Sequence, residues 1–171
     1  MRTALITGTS SGFGLATTLE LSRRGWRVFA TMRNIEKRGA LEEALKQTGV
    51  ANQVEITRLD VTETAAMKGV VDAILAHANG RLDAVVHNAG VAVEAAFEDL
   101  PEPQLRRVME TNFFSVLERT RLLLPQFRKQ RRGPVSRWPF RTHQPFYARQ
   151  DAEPRAGKII ARYLGLNRVK L

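Results

Sequence analysis

Ala4-Leu5-Ile6-Thr7-Gly8-Thr9-Ser10-Ser11-Gly12-Phe13-Gly14 is the stretch on which the fold turns. Ala4 to Thr7 reads as a short apolar strand that stops at Gly8. Leu15, Ala16, Leu19 and Leu21 then recur at helical spacing, and Arg23-Arg24-Gly25 ends that helix. The glycines at 8, 12 and 14 have the spacing G-x3-G-x-G. Gly8 permits a tight turn, Gly12 lets backbone approach a phosphate, and Gly14 lets helix and strand pack closely. A helix opening here presents free N–H groups to an anion, and Thr9, Ser10 and Ser11 add hydroxyls. No Gly-Lys-Ser/Thr follows, which excludes a nucleoside-triphosphate loop of that type. A ligand-free glycine turn has the same letters. The strand before it and the helix after it favour a dinucleotide site.

Outward from this loop, strands and helices alternate. Residues 26–32 (Trp26-Arg27-Val28-Phe29-Ala30-Thr31-Met32) read as a second strand and 35–46 as a charged helix. Residues 53–59 alternate with period two and read as a third strand. Thr62 and Thr64 are candidate caps for a helix to about His77, with Val70, Val71, Ile74 and Leu75 on its apolar face. Residues 82–87 read as a fourth strand. A long helix is expected from Glu102 to Phe127, started by Pro101 and Pro103 and kinked or ended by Pro125. This alternation predicts an α/β fold: a parallel sheet with right-handed crossovers, covered by helices on both faces. Ligands of such sheets sit beyond the carboxyl ends of the strands.

Composition sets the bounds. The 171 residues suit one soluble domain, and no apolar run approaches the length of a membrane span. Met1 to Gly8 lacks the features of a secretory signal. Zero cysteines exclude disulfides and thiolate chemistry and point to a cytoplasmic setting. His77, His87 and His143 lie far apart, so no metal site is expected. The net charge is +10, but residues 1–126 hold 15 basic and 15 acidic side chains, and residues 127–171 hold 12 and 2. The whole excess lies near the carboxyl end.

The strand ends carry the candidate chemistry. Arg33 follows strand two, where a dinucleotide fold often has a carboxylate for the ribose. Its planar fork suits a 2′-phosphate, favouring NADP(H) over NAD(H); the other reading is an exposed helix-cap arginine. Asp60 follows strand three and either accepts from an adenine amino group, with Val61 against the ring, or caps the next helix. Asn88-Ala89-Gly90 follows strand four. Asn88 ties loops through its amide and Gly90 admits a sugar, or the three form a bare turn. Asn112 stands mid-helix between large apolar residues; a buried amide there is either a structural clasp or part of an active site.

Thr7-Gly8-x3-Gly12-x-Gly14, Asp60-Val61, Asn88-Ala89-Gly90 and Asn112, in that order and spacing, resemble the short-chain dehydrogenase/reductase family over residues 1–133. Residues 29–34 are similar to its 17β-hydroxysteroid/retinol dehydrogenase branch. The resemblance implies a Rossmann-like doubly wound parallel sheet of strand order 3-2-1-4, NADP as cofactor, and a small carbonyl or alcohol substrate. It implies cofactor contacts from Thr7, Gly8, Ser10, Ser11, Gly12, Phe13 and Gly14, with Ser11 and Arg33 at the 2′-phosphate. Asp60 and Val61 would face the adenine, and Asn88, Ala89 and Gly90 the ribose. Asn112 would be the catalytic asparagine, supporting a proton-relay water. Family dimers use the long helix with a further helix not encoded here, which leaves a homo-oligomer open.

The family's chemistry also needs a Tyr-x3-Lys pair and an upstream Ser. Tyr147 is followed four positions on by Asp151, and Tyr163 by Asn167; no Tyr-x3-Lys occurs in the chain. Ser136 stands between Val135 and Arg137 with no apolar strand around it. The expectation is a Rossmann-like domain truncated after its fourth strand over 1–133, an irregular Arg/Pro-rich tail over 134–171, and little or no turnover. A shifted reading frame from about Pro134 accounts for the abrupt change. A short helix is expected near Lys158 to Tyr163. Nucleic-acid binding by the basic tail is the weaker alternative, since a basic disordered end explains the charge. Val135, Trp138 and Phe140 covering strand four is another.

Overall fold

A computed structural model describes residues 1–130. The four strands are β1 (Thr3–Thr7), β2 (Arg27–Met32), β3 (Val54–Arg58) and β4 (Ala84–Val86). Helices α1 (Gly12–Arg23), α2 (Gly39–Thr48) and α3 (Thr64–His77) alternate with them, and a 3₁₀ turn over Ile35–Arg38 precedes α2. After β4 come α4 (Glu102–Met109), a π-helical turn (Glu110–Phe114) and α5 (Ser115–Gln130). All strands pair in parallel, in the order β3-β2-β1-β4. The expected α/β sheet and its strand order are therefore present. The tail and the 133/134 boundary lie outside the described residues.

Strand alternation splits the core in two. Ala4, Ile6, Val28, Ala30 and Met32 pack with Leu21 of α1 and Leu41 and Leu45 of α2. Leu5, Phe29 and Val85 face the opposite way, against Met67, Val71 and Ile74 of α3 and Leu123 of α5. Neighbouring residues on one strand serve opposite layers, as period two requires. β1 is buried throughout, as a central parallel strand should be. β3 is only half-buried, because it is the edge of the sheet.

Several sequence expectations need correction. β4 is three residues long, not six. The buried face of α1 is Gly14, Thr17, Thr18, Leu21 and Ser22, while Leu15 and Leu19 are half-buried. Thr18 and Ser22 return their hydroxyls to the carbonyls of Gly14 and Thr18, both at 2.8 Å, so neither is left unsatisfied. Neither Thr62 nor Thr64 caps α3, whose first flanking residue is Glu63. α2 begins at Gly39 rather than Ile35. Pro125 does not end the long helix, which continues to Gln130. The bond Pro125 removes would have reached Arg121, and both residues are exposed, where water can serve the carbonyl. The last turn is also tied down. Gln130 accepts from the Leu82 N–H at 2.7 Å and donates to the Leu82 carbonyl at 2.9 Å, and Gln126 donates to the Gly80 carbonyl.

Candidate cofactor site

The glycine loop is held from behind. Gly8 and Thr9 both donate their N–H to the Thr31 carbonyl, at 2.8 and 3.1 Å, and the Thr9 hydroxyl joins them at 3.2 Å. Thr9 is fully buried, so its hydroxyl serves the fold and does not face a ligand, contrary to the sequence reading. Gly8 has φ +73°, and a Cβ there would come within 2.8 Å of the Ala89 Cα. A Cβ on Gly14 would stand 2.6 Å from the Asn88 amide nitrogen and closer still to the Gly8 carbonyl oxygen. Gly12 is different. Its φ is +54° and a Cβ would meet nothing within 4 Å. Gly8 and Gly14 are thus glycine for packing, and Gly12 for backbone conformation on an open side.

That open side is the start of α1. Ser11 flanks the helix in extended conformation without a side-chain cap, and no acidic residue lies in the first turn. Helix geometry leaves the first N–H groups without intrahelical partners and gives this end a partial positive charge. The first turn here, with exposed Ser11 and Gly12 and half-buried Ser10 and Phe13, suits a phosphate group.

The β4 loop closes against the glycine loop. The Asn88 amide donates to the carbonyls of Thr7 and Gly8 at 3.0 and 2.9 Å, and the Thr7 hydroxyl accepts the N–H groups of Asn88 and Ala89. The tie expected of Asn88 is present, with Thr7 as its second half. Asn112 is exposed rather than buried. It stands in the π turn and grips Val91, accepting its N–H at 2.9 Å and donating to its carbonyl at 2.7 Å. A Cβ on the neighbouring Gly90 would come within 3.3 Å of the Asn112 oxygen. These two bonds make Asn112 a clasp between the π turn and the loop after β4.

At the far side, Arg33 is exposed and makes no hydrogen bond or ion pair with any described residue. Asp60 accepts the Thr62 N–H at 3.0 Å and its hydroxyl at 2.8 Å through one carboxylate oxygen, forming the turn before α3. Burial works to raise the Asp60 carboxyl. The two Thr62 bonds, then Arg33 and Arg58, outweigh it and hold Asp60 below the ordinary carboxylate range. Val61 is buried beside it.

Sequence reasoning missed His87 and Arg119. Arg119 of α5 is completely buried and donates through Nε to His87 Nδ1 at 3.2 Å, which places the imidazole proton on Nε2. Ser115, Arg119 and Leu123, at four-residue spacing, form the buried stripe of α5, but a Ser and an Arg in that stripe give no apolar pattern by which the sequence could have shown it. Burial, and then Arg119, lower the His87 pKa to about 4. Below pH 6.5 the unfolded chain takes up a proton at His87 that the folded chain refuses. Stability should therefore fall as pH drops from about 6.5 to about 4, by roughly 3 kcal/mol. Urea unfolding across this range checks it: His87→Gln should flatten the slope, and an unchanged slope contradicts the assignment.

Among the described residues no cluster of His, Asp and Glu could hold a metal ion, and no helix is long and apolar enough to cross a membrane.

Residues 2–135 match the family model for short chain dehydrogenases, and the chain belongs to that family. It is 34% identical over 131 residues to a 3-ketodihydrosphingosine reductase of Bacteroides thetaiotaomicron, covering 77% of this chain and 44% of that protein. It is 34% identical over 141 residues to retinol dehydrogenase 8 of Bos taurus, covering 78% and 43%. A short-chain dehydrogenase structure from Streptomyces avermitilis superposes with TM-score 0.68 at 36% identity, over 77% of this chain and 46% of that one. A metagenomic short-chain oxidoreductase in complex with NADP superposes with TM-score 0.70 at 28% identity, over 77% and 59%. The chain thus spans about half the length of the relatives it matches.

Proposed function

We propose that this chain is the nucleotide-binding part of an NADP(H)-dependent oxidoreductase that interconverts a small lipophilic alcohol and its carbonyl. The observation that carries the reading is the uncapped, carboxylate-free first turn of α1, open at Gly12 and braced by Gly8, Gly14 and Asn88. The residues fit a pyrophosphate at Ser10 to Gly14, an adenine beside Asp60 and Val61, and a ribose beside Asn88 to Gly90. The nicotinamide group, when bound, supplies or accepts a hydride. The chain's own part is to bind and orient: Thr7 and Asn88 lock the two loops together, and Asn112 holds Val91 beside them. Preference for NADP(H) rests on Arg33, an exposed cation at the end of β2 that makes no hydrogen bond or ion pair among the described residues. The names of the similar reductase and retinol dehydrogenase support a lipophilic substrate, and the cysteine-free sequence supports a cytoplasmic setting.

The 171 residues contain no Tyr-x3-Lys. A missing acid/base costs about 10²- to 10⁴-fold in rate. We therefore expect this chain by itself to bind NADPH without appreciable turnover. Fluorescence titration with NADPH, paired with NADPH consumption against a panel of lipophilic ketones and aldehydes, tests both halves. Saturable binding without consumption is the expected result. Ordinary turnover overturns the binding-only half, and absence of binding overturns the whole reading.

A further inference from the structure

Resting on the NADP(H) reading above, we propose that Arg58 is a second cation of the 2′-phosphate site, and that Glu63 tunes the preference for NADPH over NADH by restraining it. The placement follows from the sheet. β2 and β3 run in parallel, and Met32 is in register with Arg58. The Leu59 N–H continues the pairing to the Met32 carbonyl at 3.0 Å. Arg33, directly after Met32, and Arg58, directly beside it, therefore stand at the same end of neighbouring strands, one residue out of step. Both lie within electrostatic reach of Asp60, the carboxylate assigned above to the adenine.

The two arginines differ in what holds them. Arg33 makes no hydrogen bond or ion pair among the described residues. Arg58 is gripped by Glu63 through two bonds, Nη2 to Oε1 at 2.8 Å and Nη1 to Oε2 at 3.2 Å. That pair is exposed, at 56% for the arginine side chain and 44% for the glutamate. Exposed ion pairs contribute little stability, so the guanidinium is readily shared with a stronger acceptor. A 2′-phosphate is such an acceptor: it carries close to two negative charges and three oxygens, and planar guanidinium forks match it. Glu63 opposes this twice, by occupying the Arg58 fork and by repelling the phosphate. NADH carries a hydroxyl in place of the phosphate and feels neither effect.

The experiment is nucleotide titration of the 171-residue chain and its Arg33→Gln, Arg58→Gln, Glu63→Gln and Arg58→Gln/Glu63→Gln variants. Each is titrated with NADPH and with NADH, and thermal unfolding without nucleotide verifies that each is folded. Arg58→Gln should weaken NADPH binding roughly three- to tenfold with NADH unchanged. Glu63→Gln should strengthen NADPH binding by a similar factor when Arg58 is present, and have much less effect when it is absent. Arg58→Gln should also flatten the salt dependence of NADPH binding. If Arg58→Gln leaves the NADPH-to-NADH ratio unchanged while Arg33→Gln lowers it, Arg58 is a surface ion pair and the proposal is wrong. If Glu63→Gln acts equally with and without Arg58, Glu63 works by its own charge and its restraining role is wrong. If the parent chain binds neither nucleotide, the NADP(H) reading itself fails, and the proposal with it.

Discussion

Gly14→Ala should destabilise the chain by about 3 kcal/mol and abolish NADPH binding, whereas Gly12→Ala should cost about 1 kcal/mol. The difference comes from what surrounds each position. An added carbon at 14 would stand 2.6 Å from the Asn88 amide nitrogen and nearer still to the Gly8 carbonyl. None of these groups can yield alone. The Asn88 amide is bonded to the carbonyls of Thr7 and Gly8, and the Gly8 N–H to Thr31. Making room means moving α1 off β1, and with it the first-turn N–H groups on which an anion site depends. At position 12 the added carbon meets nothing, and only the left-handed backbone resists it. Urea unfolding of both variants separates strain from clash. Equal costs at the two positions would contradict the packing account.

Arg119→Met should have the opposite sign, raising stability by about 1–3 kcal/mol. Arg119 is fully buried, and its Nη1 and Nη2 atoms find no acceptor among the described residues. Burial lowers its pKa to about 10, the mark of a cation poorly repaid for its lost water. Methionine keeps a similar unbranched length without the charge. The loss is the Nε bond to His87, worth about 1 kcal/mol. The gain is an uncharged side chain against Leu123 and its neighbours. Thermal or urea unfolding decides the matter: a loss of about 3 kcal/mol or more would contradict this account of a poorly repaid buried charge.

The contrast between these two positions shows what a sequence can carry. The Thr7 to Gly14 loop was legible because its requirements are local and steric. Three glycines at fixed spacing, between an apolar strand and a helix, have few other uses. Parallel pairing followed from the alternation of elements, since parallel neighbours need crossovers, and the order β3-β2-β1-β4 came with the family resemblance. Asn88 was legible for the same reason, as a short polar residue at a strand end. Thr9 was misread because a hydroxyl beside a phosphate loop and a hydroxyl bonded to Thr31 look identical in sequence. Asn112 was misread as buried because its neighbours are apolar, yet a π turn carries it to the surface, onto Val91. Pro125 does not end the helix because its missing bond falls on the solvent side and distant Gly80 and Leu82 hold the following turn. The burial of Arg119 depends on how α5 lies on the sheet, and no window of sequence around it contains β4.

The central claim is that the first turn of α1 receives the cofactor's pyrophosphate. Amide NMR of the 171-residue chain, titrated with NADPH, tests it most directly. The account predicts saturable shifts concentrated at the N–H groups of Ser11 to Gly14, with smaller ones at Arg33 and Asn88 to Gly90, and their loss in Gly14→Ala. Saturable binding that leaves the Ser11 to Gly14 amides unmoved would contradict it.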